Sequence, residues 1–213
     1  MKNLLKPYRF KLLASERIGP AGNLLDVGCG SHSPTITRKW LPGWKYYGVD
    51  RDNYGNDEAD FGVMEAYYEI DLSNESLAPI PDQFFDVIVM SHVVEHLPNG
   101  LEVIRELTSK LKSGGRFYLE FPSVRSLHLP SMTGTLNFCD DETHVRVYSV
   151  AEVANTLLTS GFRIACAGTR RDWLRIFLLP IMVPVKYVLR RELSAGDFWD
   201  ITGFASYVLA VKR

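Results

Sequence analysis

The sequence has few cysteines, no long apolar run and almost no net charge, and each of these absences excludes a class of protein. Its three cysteines are too few and too scattered for a disulfide framework or a paired-cysteine metal site, which suits a reducing compartment. The longest apolar run, residues 176–185, is too short to span a bilayer and contains two prolines. The net charge is −1, whereas phosphate binding requires clustered positive charge. We therefore expect a cytoplasmic protein that does not bind nucleic acid.

The near-neutral charge results from cancellation along the chain. Arg51 is the only arginine or lysine between residues 50 and 95, a stretch rich in aspartate and glutamate, whereas residues 1–17 and 170–192 are basic. The 213 residues suit a single domain. We expect one domain over residues 1–213, with an N-terminal cap helix in residues 1–20 and an insertion over residues 170–199 before the last strand.

Short apolar stretches rich in β-forming residues alternate with helical patterns, which is typical of a parallel α/β sheet. The predicted strands are residues 23–27, 45–49, 67–70, 84–90, 116–121, 162–167 and 205–211. Apolar residues at helical spacing predict helices over 100–111 and 149–160, and segments 2–18 and 171–191 are further helix candidates. The stretch 84–90 is apolar almost throughout, which indicates a central strand buried on both faces.

A glycine turn follows the first predicted strand. Gly28 and Gly30 come directly after Asp26-Val27, and glycine lets the backbone turn tightly and approach a ligand closely. A dinucleotide fingerprint would need a third glycine where Ser33 stands. The Asp26 carboxylate also suits an amino group better than a pyrophosphate. The turn therefore favours a ligand with a methionine-like tail over a dinucleotide.

Two further acids end predicted strands. Asp50 follows the second strand, where a carboxylate can accept both hydroxyls of a ribose, and its alternative role is that of a solvated acid. Asp71 follows the third strand, where it could accept from the exocyclic amine of adenine. Its alternative role is that of a loop carboxylate near a helix start.

The fourth strand brings Ser91 and His92 to the carboxyl edge of the sheet, where open α/β sheets bind ligands. Glu95 and His96 follow within one turn. His92 and His96 have helical spacing, but no third ligand is evident, so we expect no metal site. A packed or supporting histidine is the alternative for each.

Taken in order, these motifs resemble a known family. The runs LLDVGCG (24–30), YGVD (47–50), IDL (70–72), FDVIVMSHVVEHL (85–97), LKSGGRFYLEFP (111–122) and DETHVRVYS (141–149) are similar to class I S-adenosylmethionine-dependent methyltransferases, in particular to the small-molecule group that includes ubiquinone and menaquinone methyltransferases. The resemblance implies a Rossmann-like seven-stranded α/β sheet with six parallel strands, an antiparallel seventh strand and helices on both faces. One departure is His32, which stands where the family has a third glycine.

The resemblance also implies roles for single residues. The cofactor-binding residues would be Asp26, Gly28, Gly30, Asp50, Arg51, Asp71, Leu72, Ser91 and His92. The first three would hold the methionine end of S-adenosylmethionine, and the next two its ribose and the neighbouring adenine. Asp71 and Leu72 would meet the adenine, and the last two would line the floor beneath the methionine and adenosine parts. His96 would face the methyl-transfer cavity.

The expected reaction transfers the methyl group to an oxygen, nitrogen or carbon of a small or lipophilic metabolite. A hydroxyl or amine acceptor must lose a proton, and His96 and His144 are the candidate bases, with Glu95 a weaker one. Acids beside His144 would favour its charged form, and a hydrogen bond that anchors its loop is the alternative role. A non-catalytic S-adenosylmethionine-binding module is the alternative function. A nucleic-acid methyltransferase would need a motif that is missing after the fourth strand.

The acceptor is not specified by these motifs. Segment 171–191 is apolar and bracketed by paired arginines, which would suit a lid or an interfacial element over a lipophilic or lipid-linked acceptor, with peripheral membrane contact. The alternative, which apolar composition generally favours, is a helix packed on the sheet or on a second subunit. The protein would accordingly be a monomer or a homodimer.

Overall fold

The structure is a computed structural model that describes residues 6–16 and 18–213. The strands are β1 Gly22–Val27, β2 Trp44–Asp50, β3 Met64–Glu69, β4 Phe85–Ser91, β5 Leu111–Pro122, β6 Phe162–Thr169 and β7 Ala205–Lys212. They form one sheet in the order β3-β2-β1-β4-β5-β7-β6. Each predicted strand is present, although β3 begins three residues and β5 five residues earlier than the apolar pattern indicated.

The direction of the strands confirms the predicted sheet. β1 pairs in parallel with β2 and β4, β2 with β3, and β4 with β5. β7 runs antiparallel to both of its neighbours and lies between β5 and β6. Because parallel strands share one carboxyl edge, the residues that follow β1, β2 and β4 meet there.

The helices are α1 Tyr8–Ser15, α2 Ser33–Trp40, α3 Glu58–Phe61, α4 Gly100–Lys110, α5 Val150–Thr159, α6 Trp173–Arg190 and α7 Trp199–Thr202. The helices predicted over 100–111 and 149–160 correspond to α4 and α5. The predicted helix over 2–18 is shorter, since α1 begins only after Pro7 and the residue before a proline is disfavoured from helical geometry. Residues 1–5 and 17 of that prediction lie outside the described residues.

Both faces of the sheet are covered, because successive strand residues point to opposite sides. Leu24 of β1 packs in a buried cluster that includes Phe10 and Leu13 of α1. The next residue, Leu25, packs in a second cluster with Leu107 of α4 and Leu157 of α5, among others. Helices therefore lie on both faces, as the family resemblance implied.

The segment predicted as an insertion, residues 170–199, contains α6. None of the residues of this helix is buried, and many of its exposed side chains are large and apolar. Phe177 and Leu189 are both 77% exposed. The lack of buried residues argues against the expectation that α6 packs on the sheet, and packing on a second subunit stays a prediction. In the described part of the chain, no helix combines the length and apolarity needed to cross a membrane.

Candidate functional site

The glycine turn after β1 depends on residues that tolerate unusual backbone geometry. Gly28 has a φ of +76°, and a Cβ there would lie 2.2 Å from Cγ2 of Val93, which follows β4. A Cβ on Gly30 would lie 2.5 Å from the carbonyl oxygen of Tyr54. The turn then continues through Ser31 and His32, which also have positive φ values. His32 therefore adopts the left-handed conformation that glycine takes without strain, at the position where the family has its third glycine.

Asp26 lies beneath this turn and is only 2% exposed. Its Oδ2 accepts hydrogen bonds from Ser33 Oγ at 2.5 Å and from the Tyr46 hydroxyl at 2.8 Å. Burial raises the pKa of Asp26, and the nearby Arg9 and these two donors oppose the rise. The carboxylate thus supports the turn from below, and contact with the methionine end of a cofactor stays a prediction.

Asp50 ends β2 beside the glycine turn, as predicted. The Gly28 N–H donates to the carbonyl of Val49 at 2.9 Å, which joins the turn to β2. Burial raises the pKa of Asp50, whereas hydrogen bonds from the backbone N–H groups of Arg51 and Gly30 lower it. The Arg51 side chain points into solvent and pairs with Asp52 at 3.3 Å. The half-buried Asp50 carboxylate is therefore well placed for a hydroxyl-bearing ligand, and the Arg51 side chain is not held near it.

Asp71 caps a turn. Its Oδ1 accepts the backbone N–H of Ser73 at 2.9 Å, and its Oδ2 accepts Nδ2 of Asn74 at 3.0 Å. These hydrogen bonds hold the pKa of Asp71 below its usual range. Leu72 is buried in the cluster on the α4 face of the sheet. The structure thus supplies the alternative role for Asp71, and adenine contact by these two residues stays a prediction.

Ser91 and His92 stand at the carboxyl end of β4. Ser91 Oγ is buried and has no hydrogen-bond partner among residues 6–16 and 18–213. The His92 ring lies between two carboxylates, with Nδ1 at 3.2 Å from Glu95 Oε1 and Nε2 at 3.2 Å from Glu120 Oε1. Burial lowers the pKa of His92, but the hydrogen bonds with Glu120 and Glu95 outweigh burial and raise it to about 9. His92 is therefore a charged, packed side chain with both nitrogens engaged.

Behind His92 lies an ionic network that sequence reasoning missed. Arg170, at the end of β6, donates from Nη1 to Glu120 Oε1 at 2.7 Å and from Nε to Asp200 Oδ1 at 3.0 Å. Tyr118 also donates to Glu120. Burial raises the pKa of Glu120, but Arg170 and His92 hold it well below its usual range. Glu120 among the aromatic and aliphatic residues 117–122 was the available signal, since a buried acid needs a partner.

The two candidate bases are neighbours. The His96 and His144 ring centroids are 4.8 Å apart, although the residues belong to different segments of the chain. His144 Nδ1 lies 2.7 Å from the Phe138 carbonyl oxygen, so the loop-anchoring hydrogen bond expected as its alternative role is present. The neighbouring Asp140 instead accepts three backbone N–H groups of its own loop. The structure thus brings the two candidate imidazoles together, and their catalytic roles stay predictions.

The residues at this edge fit S-adenosylmethionine in two respects. The unpartnered Ser91 Oγ is a buried polar atom that a polar ligand could satisfy. The half-buried Asp50 carboxylate stands at the end of β2, which is separated from β4 and Ser91 by a single strand, β1. Two cavities of about 310 Å³ and 590 Å³ are also present. The first lies between residues 72–76 and α4 and is lined in part by Leu72, the predicted adenine contact, and the second lies along the loop of residues 131–135.

Comparisons with known proteins identify the family. A family model described as a methyltransferase domain matches residues 3–167. The chain is 32% identical over 111 residues to a Mycolicibacterium smegmatis protein named "Probable S-adenosylmethionine-dependent methyltransferase", a match that covers 51% of this chain and 41% of that protein. It is 30% identical over 118 residues to the ubiquinone biosynthesis O-methyltransferase of Xanthomonas campestris. That match covers 54% of this chain and 49% of the Xanthomonas protein. The chain therefore spans about half the length of these curated relatives.

A solved structure shows the same fold. The S-adenosylmethionine-dependent methyltransferase from Mesorhizobium loti superposes with a TM-score of 0.63 at 14% sequence identity, covering 98% of this chain and 100% of that one. The family model covers more than half of the chain and includes the glycine turn, Asp50 and the segment after β4. The chain therefore belongs to the S-adenosylmethionine-dependent methyltransferase family predicted from its motifs, whose methyl donor is S-adenosylmethionine.

Proposed function

We propose that this protein transfers the methyl group of S-adenosylmethionine to a small-molecule acceptor. The observation that carries the proposal is the carboxyl edge of the sheet, where the glycine turn, the Asp50 carboxylate and the unpartnered Ser91 Oγ meet. Open α/β sheets bind ligands at this edge. His96 and His144 lie beyond Ser91 along the chain, on the side we assign to the acceptor.

Each group has a proposed task. Asp50 accepts the ribose hydroxyls, and Ser91 Oγ satisfies its missing hydrogen bond on the cofactor. Because the sulfonium already activates the methyl group, the protein chiefly has to align the acceptor behind it and exclude water. For a hydroxyl or amine acceptor, we propose that His96 or His144 receives the proton.

Cofactor binding is tested by calorimetry with S-adenosylhomocysteine. Asp50→Asn should weaken binding about tenfold or more, which corresponds to one lost charge-assisted hydrogen bond. Asp52→Asn is the matched control, since Asp52 is exposed and its salt bridge in the described part of the chain is with the exposed Arg51. No binding by the unaltered protein would contradict the proposal.

Catalysis is tested by methyl transfer to a panel of metabolites and lipid extracts. Methylation of any acceptor supports the enzyme, whereas tight cofactor binding without transfer to any acceptor supports the non-catalytic module. Near-normal turnover of His96→Ala and His144→Ala at all pH values would exclude proton transfer to either imidazole.

A lipophilic acceptor, reached at a membrane surface, is the finer part of the proposal. The support is α6, in which apolar Trp173, Phe177 and Ile181 are each more than half exposed at a spacing of four residues. The helix ends in Arg190-Arg191, which suits an anionic surface. Lys186 ties the helix to the body through Asp197 at 2.5 Å, so the apolar residues are held on its outside.

Flotation with anionic vesicles tests the membrane contact. The unaltered protein should float with the vesicles, and Phe177→Ser combined with Ile181→Ser should not, because the apolar surface that inserts is removed. Leu158→Ser on α5 is the control, since Leu158 is 47% exposed but isolated from α6. Absence of flotation together with a dimer in sedimentation would instead assign the surface to a homodimer.

A further inference from the structure

Three potential metal ligands that the cofactor proposal does not use meet beside the predicted methyl-transfer cavity. Glu95, His96 and His144 each offer a donor atom, and these atoms all lie within 4.8 Å of one another. The arrangement is held by the backbone. The N–H groups of Val145 and Arg146 donate to the Glu95 carbonyl at 2.9 Å and 3.2 Å, which fixes the loop that carries His144 against the turn that carries Glu95 and His96.

Glu95 has a free ligand atom. The residue is 1% exposed, and only Oε1 has a partner, at 3.2 Å from His92 Nδ1. Oε2 is buried and makes no hydrogen bond within the described residues. A buried carboxylate oxygen without a partner is costly, because the oxygen has lost water and gained nothing in exchange. A bound cation is one group that would satisfy it.

The two histidines are oriented as metal ligands are. His144 Nδ1 faces the Phe138 carbonyl at 2.7 Å, and a carbonyl only accepts, so Nδ1 carries the proton. In the neutral imidazole, Nε2 then carries the lone pair, and its nearest carboxylate oxygen among its salt-bridge partners, Asp141 Oδ2, is 3.8 Å away, beyond hydrogen-bond distance. Histidines that bind metal commonly donate their other ring N–H in this way, to a carbonyl or a carboxylate.

His96 follows the same logic. Its Nδ1 lies 2.9 Å from Thr143 Oγ1 and 3.2 Å from the Thr143 carbonyl. The Thr143 hydroxyl donates its one proton to Asp141 Oδ1 at 2.6 Å, so the threonine oxygens accept from His96 Nδ1. The lone pair of His96 is accordingly on Nε2 as well.

A second cluster of possible ligands, His32, Asp57 and Asp60, lacks these features. Asp60 Oδ2 already meets His32 Nδ1 at 2.6 Å and the backbone N–H of Asp57. Its Oδ1 accepts the hydroxyl of Thr35 at 2.8 Å. Both carboxylate oxygens of this cluster's buried member are therefore satisfied by the protein itself, and the cluster serves as the control below.

We propose that Glu95, His96 and His144 bind a divalent transition-metal ion. Two imidazoles and one carboxylate form a donor set suited to Zn²⁺, Fe²⁺ or Co²⁺, and three protein ligands leave positions open for an exchangeable group. Sequence spacing directed attention to His92 and His96, but both nitrogens of His92 are engaged by carboxylates. The missing ligands were Glu95 and His144, the latter supplied by a distant loop.

The open position would bind an oxygen of the acceptor, and this part of the inference rests on the proposed function. With the ion bound, His96 and His144 act as ligands instead of bases, and the ion favours loss of the hydroxyl proton to water. The oxygen then forms a bond to the methyl carbon as the carbon–sulfur bond breaks, and the electron pair of that bond stays on sulfur, giving S-adenosylhomocysteine. The inferred substrate class is thus an alcohol or phenol.

The test uses untagged protein stripped of metal with a chelator and titrated with Co²⁺. We expect one ion per chain and visible absorption bands typical of nitrogen and oxygen ligation. Glu95→Gln, which preserves the side-chain shape, and His144→Ala should each weaken Co²⁺ binding by at least about 100-fold. Each removes a direct ligand, and loss of a mere supporting partner already costs about 10–100-fold. His32→Ala and the exposed His128→Ala are matched histidine controls and should leave binding unchanged.

The inference is overturned if the unaltered protein binds no Co²⁺ or Zn²⁺, or if His32→Ala removes binding while Glu95→Gln does not. Circular dichroism of Glu95→Gln shows that the variant is folded before its affinity is interpreted. Calorimetry with S-adenosylhomocysteine separates the two claims. Cofactor binding without metal binding contradicts the metal site alone and leaves His96 and His144 as candidate bases. Metal binding without cofactor binding supports the metal site and contradicts the proposed function.

Discussion

Replacing Arg170 by methionine tests the ionic network behind His92. The change keeps most of the side-chain volume and removes the guanidinium, whose side chain is 10% exposed. Three charged hydrogen bonds disappear: one to Glu120 at 2.7 Å and two to Asp200 at 3.0 Å and 3.3 Å. Two carboxylates, 7% and 4% exposed, then lose their main cation, and each keeps one weaker partner: Glu120 keeps His92 at 3.2 Å, and Asp200 keeps Arg175 at 3.5 Å.

The expected loss of unfolding free energy is about 3–5 kcal/mol, the range measured when one partner of a buried ion pair is removed. This is a large part of the usual stability of a domain, about 5–15 kcal/mol, so Arg170→Lys provides a milder variant. The triple change Arg170→Met, Glu120→Gln and Asp200→Asn should regain most of the loss, because no uncompensated charge stays buried.

The loss should also depend on pH. Glu120 has a lowered pKa when folded, so its stabilising effect is present above its unfolded pKa, about 4.3, and disappears as the pH falls through the folded pKa. Without Arg170 the pKa of Glu120 rises, and protonation relieves the buried charge. The deficit of Arg170→Met should therefore be largest at neutral pH and shrink in acid.

The assay is urea unfolding followed by circular dichroism, at neutral pH and at about pH 4. A loss below about 1 kcal/mol for Arg170→Met would refute the reasoning, since it would place the network in the range of exposed ion pairs. A triple variant no more stable than the single variant would refute it as well, because the destabilisation could not then come from uncompensated carboxylates.

Three further predictions concern the site and its loops. Gly28→Ala should lower the urea midpoint more than Gly114→Ala. Both glycines have a φ of +76°, but an added Cβ collides with a neighbouring side chain, Val93, only at Gly28. Equal losses in the two variants would contradict the steric argument. Hydrogen bonds from backbone N–H groups lower the pKa of Asp140 to about 2, despite the opposing effect of burial. Asp140→Asn should therefore destabilise the protein above about pH 4, and the difference in stability from the unaltered protein should shrink toward about pH 2. Thermal melts recorded at several pH values measure this difference. Tyr46→Phe should cost about 1–3 kcal/mol in chemical denaturation, because Asp26 loses a buried hydrogen bond, and a neutral effect would show that Asp26 is protonated or solvated.

Much of the site could be read from local patterns. The glycine turn, Asp50 and the segment after β4 each follow a strand, and strand ends on one edge of a parallel sheet come together whatever the details of packing. Residue roles were less predictable. Asp71 caps its own turn, and Asp26 accepts a hydrogen bond from the Tyr46 hydroxyl. The partners of a side chain depend on which segments pack against it, and a local sequence pattern does not contain that information.

The sequence by itself determined the seven strands, the central apolar strand β4 and the methyltransferase family, because alternation and motif order are properties of neighbouring residues. Only the tertiary structure decided that β7 enters between β5 and β6, that α6 lies outside the core, and that His144 joins Glu95 and His96. These features depend on contacts between segments far apart in the chain, and hydrophobic periodicity within a segment carries no information about its partner.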